Sequence, residues 1–383
     1  MKKFFPPVGL IALAAVLLST PASATKYAGE FLKIPVGPRA IGLGGAFTAI
    51  ADDATAPYWN PAGMVFLPYH EVLFQHAERF GSLENQDYLS GVIPLGGDHG
   101  HESAIGLTLL RVAVDDIPIT PRANDLKSGQ DFLDYGRDGV PFTYDPGEGN
   151  GTWDPGERLL LTSDNFYLAS SSDMAAMVSY AKQHGPHWAF GGNLKFIRQS
   201  LPSSDAVYDT VARQVTGVGK ATSFGAGLDA GVMYMPTDAV TIGATLRDLT
   251  TTYLAWSNGA REKIDPWLDT GSSFNFFPAP RHAITLALDL GWNFDNRQLD
   301  SEIKMGSVTA DLRTGVEYWY RSTLALRTGV NGKDLAFGAG VRYKQVGVDY
   351  AASLNRFFGG NDKQFPDDKN LDASQLVSLG VNW

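Results

Sequence analysis

The sequence predicts an all-β protein: a single transmembrane antiparallel β-barrel of about 14 strands with a small N-terminal hatch in the lumen. Three observations predict it. Segments along most of the chain alternate apolar residues with polar or small ones at period two. The charges in those segments fall on the face opposite the apolar one. The chain closes on such a segment, with Val377, Leu379, Val381 and Trp383 against Ser378, Gly380 and Asn382.

Composition agrees. Of 383 residues 42 are glycine, aromatics make up 11% and charged residues only 19%. A soluble domain carries nearer to about 25% charge. The absence of cysteine excludes disulfides and thiolate metal sites. The net charge of -10 argues against nucleic acid as a partner. A single barrel accommodates this length without a second domain.

Residues 1–24 read as a signal peptide. Lys2 and Lys3 precede an apolar run, Val8 to Leu18, and Ala22-Ser23-Ala24 supplies a small-residue cleavage site. The run is too short for a stable membrane helix. The alternative is an uncleaved anchor, and no stop-transfer pattern supports it. Export to the outer membrane of a Gram-negative cell follows.

Residues 25–66 do not alternate and read as the hatch. Gly42, Gly44 and Gly45 permit close backbone packing. Phe47 to Ala54, including Asp52 and Asp53, has the length of about two helical turns. Asn60-Pro61 sets a turn and Ala62 follows. A nucleotide-binding loop is excluded because the full G-x-G-x-x-G spacing is absent.

The barrel is assigned to 67–383. Its segments lie near 68–78, 87–95, 103–115, 172–183, 187–199, 221–235, 239–249, 281–293, 298–305, 309–320, 322–331, 334–344, 346–355 and 374–383. Their inward set holds Lys195, Asp229, Arg247, Asp289, Asp311, Arg313, Glu317, Arg327, Arg342 and Asp349. A soluble sandwich or lipocalin-like barrel hides an apolar face, so mixed charges there imply a wet or salt-bridged lumen facing away from lipid. Short links such as Gly96-Gly97-Asp98 alternate with long ones at 116–171, 200–220, 250–280 and 356–372. An even strand count puts both termini on the periplasmic side. Trp383, an aromatic closing an alternating strand, resembles the signal read by the outer-membrane barrel assembly machinery.

The longest link is acidic. Asp134, Asp138, Asp145, Glu148, Asn150, Asp154 and Glu157 offer hard oxygen ligands among glycines, the chemistry Ca²⁺ requires. The spacing departs from an EF-hand, since Pro146 occupies its first position and Asp145 is one residue early. The alternative is a solvated loop rich in turn residues. No catalytic residues are assigned. Neither a Gly-x-Ser-x-Gly elbow nor a His-Glu-x-x-His motif occurs, and His99 and His101 sit in a short turn without further ligands. An enzyme is not expected.

The runs 39–54 and Tyr58-Trp59-Asn60-Pro61-Ala62-Gly63, with Gly192 to Ile197 and Gly315 to Tyr320, resemble PorV/PorQ-type outer-membrane proteins. These belong to the wider FadL superfamily. The resemblance implies a fourteen-stranded barrel with an N-terminal hatch, and Asn60-Pro61-Ala62 matches the short FadL-type hatch motif. It implies one of two roles. One is a passive channel for hydrophobic small molecules. The other is a component of type IX secretion or surface assembly that binds secreted cargo proteins.

Overall fold

The computed structural model describes residues 28–79, 83–97, 100–162, 165–209, 211–212, 214–249, 251–294, 303–306, 308–354 and 373–383. The expected signal peptide, and the links at 355–372 and 98–99, lie outside the described residues. Seventeen strands hydrogen-bond in one sheet. Three are short: Thr252–Trp256, Arg261–Ile264 and Ile303–Met305. The other fourteen form a closed antiparallel barrel.

In chain order these are β1 (Glu71–Arg79), β2 (Glu84–Gly97), β3 (Gly100–Ile119), β4 (Tyr167–His184), β5 (Trp188–Asp209), β6 (Gln214–Thr237) and β7 (Val240–Arg247). They continue as β8 (Trp267–Ala279), β9 (His282–Asn293), β10 (Val308–Tyr320), β11 (Leu324–Asn331), β12 (Asp334–Tyr343), β13 (Val346–Leu354) and β14 (Ala373–Asn382). The seam closes by antiparallel pairing of β1 with β14, from Glu71 opposite Asn382 to Glu78 opposite Gln375. Closure leaves no free edge, which a strand in hydrocarbon cannot tolerate. Trp383 extends the seam, its N–H donating to the His70 carbonyl at 3.1 Å and its ring meeting the His70 ring edge-on at 5.7 Å.

Thirteen of the fourteen strands overlap expected segments; three details differ. The stretch 250–280, expected as a long link, contains β8, paired with β7 from Trp267 to Phe274 and with β9 from Trp267 to Ala279. The expected strand at 298–305 is not a wall strand. Its described part, Ile303–Met305, folds back on Val308 to Ala310 within the β9–β10 link. The link expected at 200–220 is shorter, because β5 runs to Asp209 and β6 starts at Gln214.

Polarity is inverted as expected. Phe190, Leu194, Phe196, Leu286, Leu288, Val348, Tyr350 and Leu379 are exposed on the outer face. Lys195, Asp229, Arg247, Asp289, Glu317, Arg327 and Asp349 are buried on the inner one. At the end where the chain enters and leaves, short turns join the strands and aromatic rings gather. Trp188 stacks on Tyr234 at 4.4 Å, and His282 packs against Tyr318 and Tyr320. This is the interfacial position such rings favour.

The chain divides into two compact units. The first comprises residues through 112, 174–198 and 224–383; the second comprises 113–173 and 199–223. In the second, a two-stranded ladder pairs Phe132–Leu133 with Arg158–Leu159 around the buried ring of Phe132. Beyond it lies the acidic loop.

Candidate functional site: the hatch and the cavity above it

Residues 28–67 belong to the first unit and pack against the inner barrel face. They contain 3-10 turns at Glu30–Lys33 and Pro61–Phe66 and short helices at Pro38–Gly42 and Ala56–Trp59. The helix expected over Phe47 to Ala54 does not form. Gly44 and Gly45 precede it at positive φ, 65° and 77°. Its first amides are taken by the wall: Phe47 N and Thr48 N donate to Asp289 Oδ2 on β9 at 3.0 and 2.8 Å. Thr48 O instead accepts from Asn60 Nδ2 at 2.9 Å. A helix over 47–54 would need the Thr48 carbonyl for the N–H four residues on.

Asn60 ties the hatch internally and to the barrel. Its Oδ1 accepts from Ala62 N at 3.1 Å, capping the 3-10 turn that begins with Pro61. Its Nδ2 also donates to Val232 O on β6 at 3.2 Å. Ala62 lies so close to β5 that a Cβ on Gly191 would sit 2.4 Å from its nitrogen. Gly44 fits between strands only as glycine: a Cβ there would lie 2.6 Å from Val330 N on β11. Gly42 meets Gly338 on β12 in the same way.

Because the hatch is largely irregular, its backbone needs partners from outside itself. The barrel supplies them. Gln75 accepts from Gly37 N, and Gln86 Nε2 donates to Ile34 O. Tyr88 OH donates to Ala54 O, Asn193 Nδ2 to Pro57 O, Thr245 Oγ1 to Trp59 O and Ser273 Oγ to Ala49 O. Sequence reasoning missed these neutral residues. Their signal was a polar side chain at an inward position, weaker to the eye than the charges beside it.

The charges form three groups. Arg39, on the hatch, bonds Glu317 of β10 at 2.9 Å and reaches Asp52 at 2.5 Å and Asp53 at 3.4 Å. Burial works against its charge, but Asp52, Glu317 and Asp53 outweigh that and hold its pKa above the ordinary value. Glu317 continues to Arg327 at 3.0 Å, Arg327 to Asp349 at 2.7 Å, and Asp349 to Arg342 at 2.6 Å. A second group joins Lys195 to Asp229 and Asp248, each at 2.9 Å. In the third, Arg313 bonds Asp269, and Arg247 stands 3.5 Å from the same carboxylate.

Over the hatch, towards the barrel end opposite the termini, lies a cavity of about 290 Å³. Lys33, Tyr58 and Trp59 of the hatch line it, with Arg247, Trp267 and Arg313 of the wall. Tyr58 is fixed by its hydroxyl donating to Leu32 O at 2.9 Å, and Trp59 by its indole N–H donating to Val36 O at 2.9 Å.

Of the residues singled out from sequence in this segment, Gly42, Gly44, Asn60 and Ala62 lie close to wall strands, whereas Asp52 and Asp53 bond Arg39 within the segment. The seven acidic-loop residues lie in the second unit, and each accepts or donates locally. Asp134 accepts from Gly149 N and Gly151 N, both at 2.8 Å. Asp145 accepts from Asp138 N, Asp138 from Val140 N, and Glu157 from Gly136 N and Asp154 N. Glu148 accepts from Phe142 N and Tyr144 N, while Asn150 Nδ2 donates to Asp154 at 2.6 Å. Among the described residues, no three His, Asp or Glu side chains stand together as a metal cage.

Comparison with known proteins adds the following. A family described as "Uncharacterised protein family (UPF0164)" matches residues 10–92. No curated protein matches the chain. Among solved structures, the toluene transporter TodX of Pseudomonas putida is similar with a TM-score of 0.50 and 15% identity, over 90% of this chain and 97% of that one. A Pseudomonas aeruginosa FadL homologue is similar with a TM-score of 0.50 and 13% identity, over 91% and 98%. At such identities the likeness is one of fold: a FadL-like barrel. A closer tie to the PorV/PorQ type does not follow from it.

Proposed function

We propose that the protein is an outer-membrane channel through which small hydrophobic molecules pass passively, with residues 28–67 as its hatch. The cavity carries this reading: a ligand-sized space with Tyr58, Trp59 and Trp267 in its lining and the hatch beneath it. The fold it shares with a toluene transporter supports the reading, as does the apolar outer face, which suits lipid. The chemistry is binding and passage, with no reaction step. The chain has no cysteine, so single thiols can be placed at will. Cysteines at Ala49 and Ser273, whose backbone O and Oγ lie 3.3 Å apart, allow the hatch to be cross-linked to β8 with a short bis-thiol reagent. Proteoliposomes carrying the protein should take up labelled toluene, and the cross-link should abolish uptake. Uptake no faster than in empty liposomes, or unaffected by the cross-link, overturns the reading.

A second reading is favoured by one observation. Phe142 and Tyr144, on the acidic loop, are 85% and 92% exposed. Large rings presented this way fit contact with another protein, as in a secretion or surface-assembly component. Ca²⁺ held by Asp134, Asp138, Asp145, Glu148, Asn150, Asp154 and Glu157 would stiffen that loop. Calorimetric titration should then show heat of Ca²⁺ binding and slower proteolysis of 131–157; neither change removes calcium from the account.

A further inference from the structure

Three neighbouring turns, at the barrel end where the chain enters and leaves, carry cations and no acids. They are Pro280-Arg281 between β8 and β9, Arg321-Ser322-Thr323 between β10 and β11, and Lys344-Gln345 between β12 and β13. The turns are tied side by side. Arg321 N donates to Arg281 O and Arg342 N donates to Thr323 O, both at 2.8 Å. Arg281, Arg321 and Lys344 are exposed, and none of them makes an ion pair among the described residues.

The chain as a whole carries a net charge of -10, so this local excess is not the spill-over of a basic composition. It is also bounded. Asp238 occupies the next turn on one side, between β6 and β7. On the other side lies the C-terminal carboxylate of Trp383, one residue beyond Asn382, whose N–H donates to Gln345 O at 2.8 Å.

The backbone gives a second observation. Arg281, Arg321 and Lys344 hold positive φ, at 73°, 54° and 54°. Glycine or asparagine takes such positions at the least cost. A turn that had only to reverse the chain needs no long cation there, yet all three turns place one.

The wall beside these turns is layered. Arg321 Cζ lies 5.1 Å from the centre of the Tyr320 ring, and Lys344 Nζ lies 5.4 Å from that of Tyr343. His282 Nδ1 and Tyr318 OH are 2.8 Å apart in the same belt. Further along the outer face come the exposed side chains of Leu324, Leu326 and Val341. From the rim towards mid-barrel the order is cation, aromatic ring, aliphatic chain. A phospholipid presents the matching order of phosphate, glycerol ester and acyl chain. A soluble anion matches only the first.

We propose that Arg281, Arg321 and Lys344 form a binding site for an anionic glycerophospholipid of the phosphatidylglycerol class, in the leaflet at this end of the barrel. The two guanidinium groups offer paired donors to the phosphate oxygens, and Lys344 adds a point charge. The ring belt meets the glycerol esters. The site goes beyond the channel reading and does not depend on what crosses the lumen.

The test uses the full-length barrel in micelles doped with phosphatidylglycerol or phosphatidylethanolamine of identical acyl chains. Native mass spectrometry counts the lipids retained. A cation at an anionic headgroup is worth about fivefold, so phosphatidylglycerol should be retained at least about fivefold more than phosphatidylethanolamine. Combining Arg281→Gln, Arg321→Gln and Lys344→Gln should bring the ratio to within about twofold of unity. Lys182→Gln, which removes an exposed cation near the same end of β4, should leave it unchanged. Heat-modifiable gel mobility reports whether the triple variant folds. If it does not, raising ammonium acetate from about 0.1 M to about 0.5 M on the parent should lower the preference, because salt screens exposed charges. Equal retention of the two lipids by the parent overturns the proposal. So does a preference that survives in the folded triple variant, falls equally in Lys182→Gln, or ignores salt. Displacement of phosphatidylglycerol by an equal concentration of glycerol phosphate also overturns it, because the site then reads a free phosphate and not a lipid.

Discussion

Asp289 should hold the hatch shut, and removing it tests how. Its Oδ2 accepts from Phe47 N and Thr48 N at 3.0 and 2.8 Å, and the side chain is 1% accessible. Asp289→Ala leaves both amides buried without an acceptor. Each orphaned donor costs about 1–3 kcal/mol, so the pair costs about 2–6 kcal/mol. The variant also no longer desolvates a carboxylate, so the lower end of that range applies. About 2 kcal/mol raises the population of the locally opened hatch about 30-fold. Hydrogen exchange read by mass spectrometry on the barrel in micelles should show that acceleration in peptides spanning 38–60. Peptides from β9 to β13 should change little, since the wall ladder is intact. Asp289→Asn keeps an acceptor oxygen and should show less than half the effect. Exchange in Asp289→Ala within about twofold of the parent would refute the claim that this carboxylate anchors the hatch.

Other perturbations separate lipid face from lumen. Leu286 lies mid-strand on the outer face of β9, and Leu286→Arg should cost about 2–4 kcal/mol, read from urea unfolding in lipid. Arg327, with a fully buried side chain, joins Glu317 and Asp349. Arg327→Met takes from two buried carboxylates one arginine each, leaving Glu317 with Arg39 and Asp349 with Arg342; it should cost about 3 kcal/mol, and adding Glu317→Gln should recover part of it. A loss in the double variant equal to the sum of the two single losses would show that the two residues act independently.

The wall was legible because a membrane barrel imposes one rule on every strand. Wherever lipid lies outside and polar groups inside, period two is visible, as in β9, where Ile284, Leu286 and Leu288 oppose Thr285, Ala287 and Asp289. β8 escaped because the contrast fails along its first half. Thr270 and Ser272 occupy outward positions while Gly271 and Ser273 point inward, so both faces read as small and polar. The 298–305 segment misled for the opposite reason. Ile303 and Met305 alternate with Lys304, yet a three-residue hairpin end alternates just as a wall strand does. The fourteen expected segments therefore included one that was not a wall strand and omitted one that was.

Sequence alone determined that the chain folds as a barrel and which face meets lipid, because these follow from local alternation and solvent partition. Tertiary structure alone decided what the hatch grips. Its contacts span hundreds of residues, as in Asp289 with Phe47 or Glu317 with Arg39, and no local pattern records them. The same holds for the cavity. Arg247, Arg313 and Asp269 come from three strands, and Tyr58 and Trp59 from residues 28–67, so their grouping exists only once the barrel has closed around them. Trp383 alone marks a last strand; its bond to His70 on the approach to β1 makes that strand the seam.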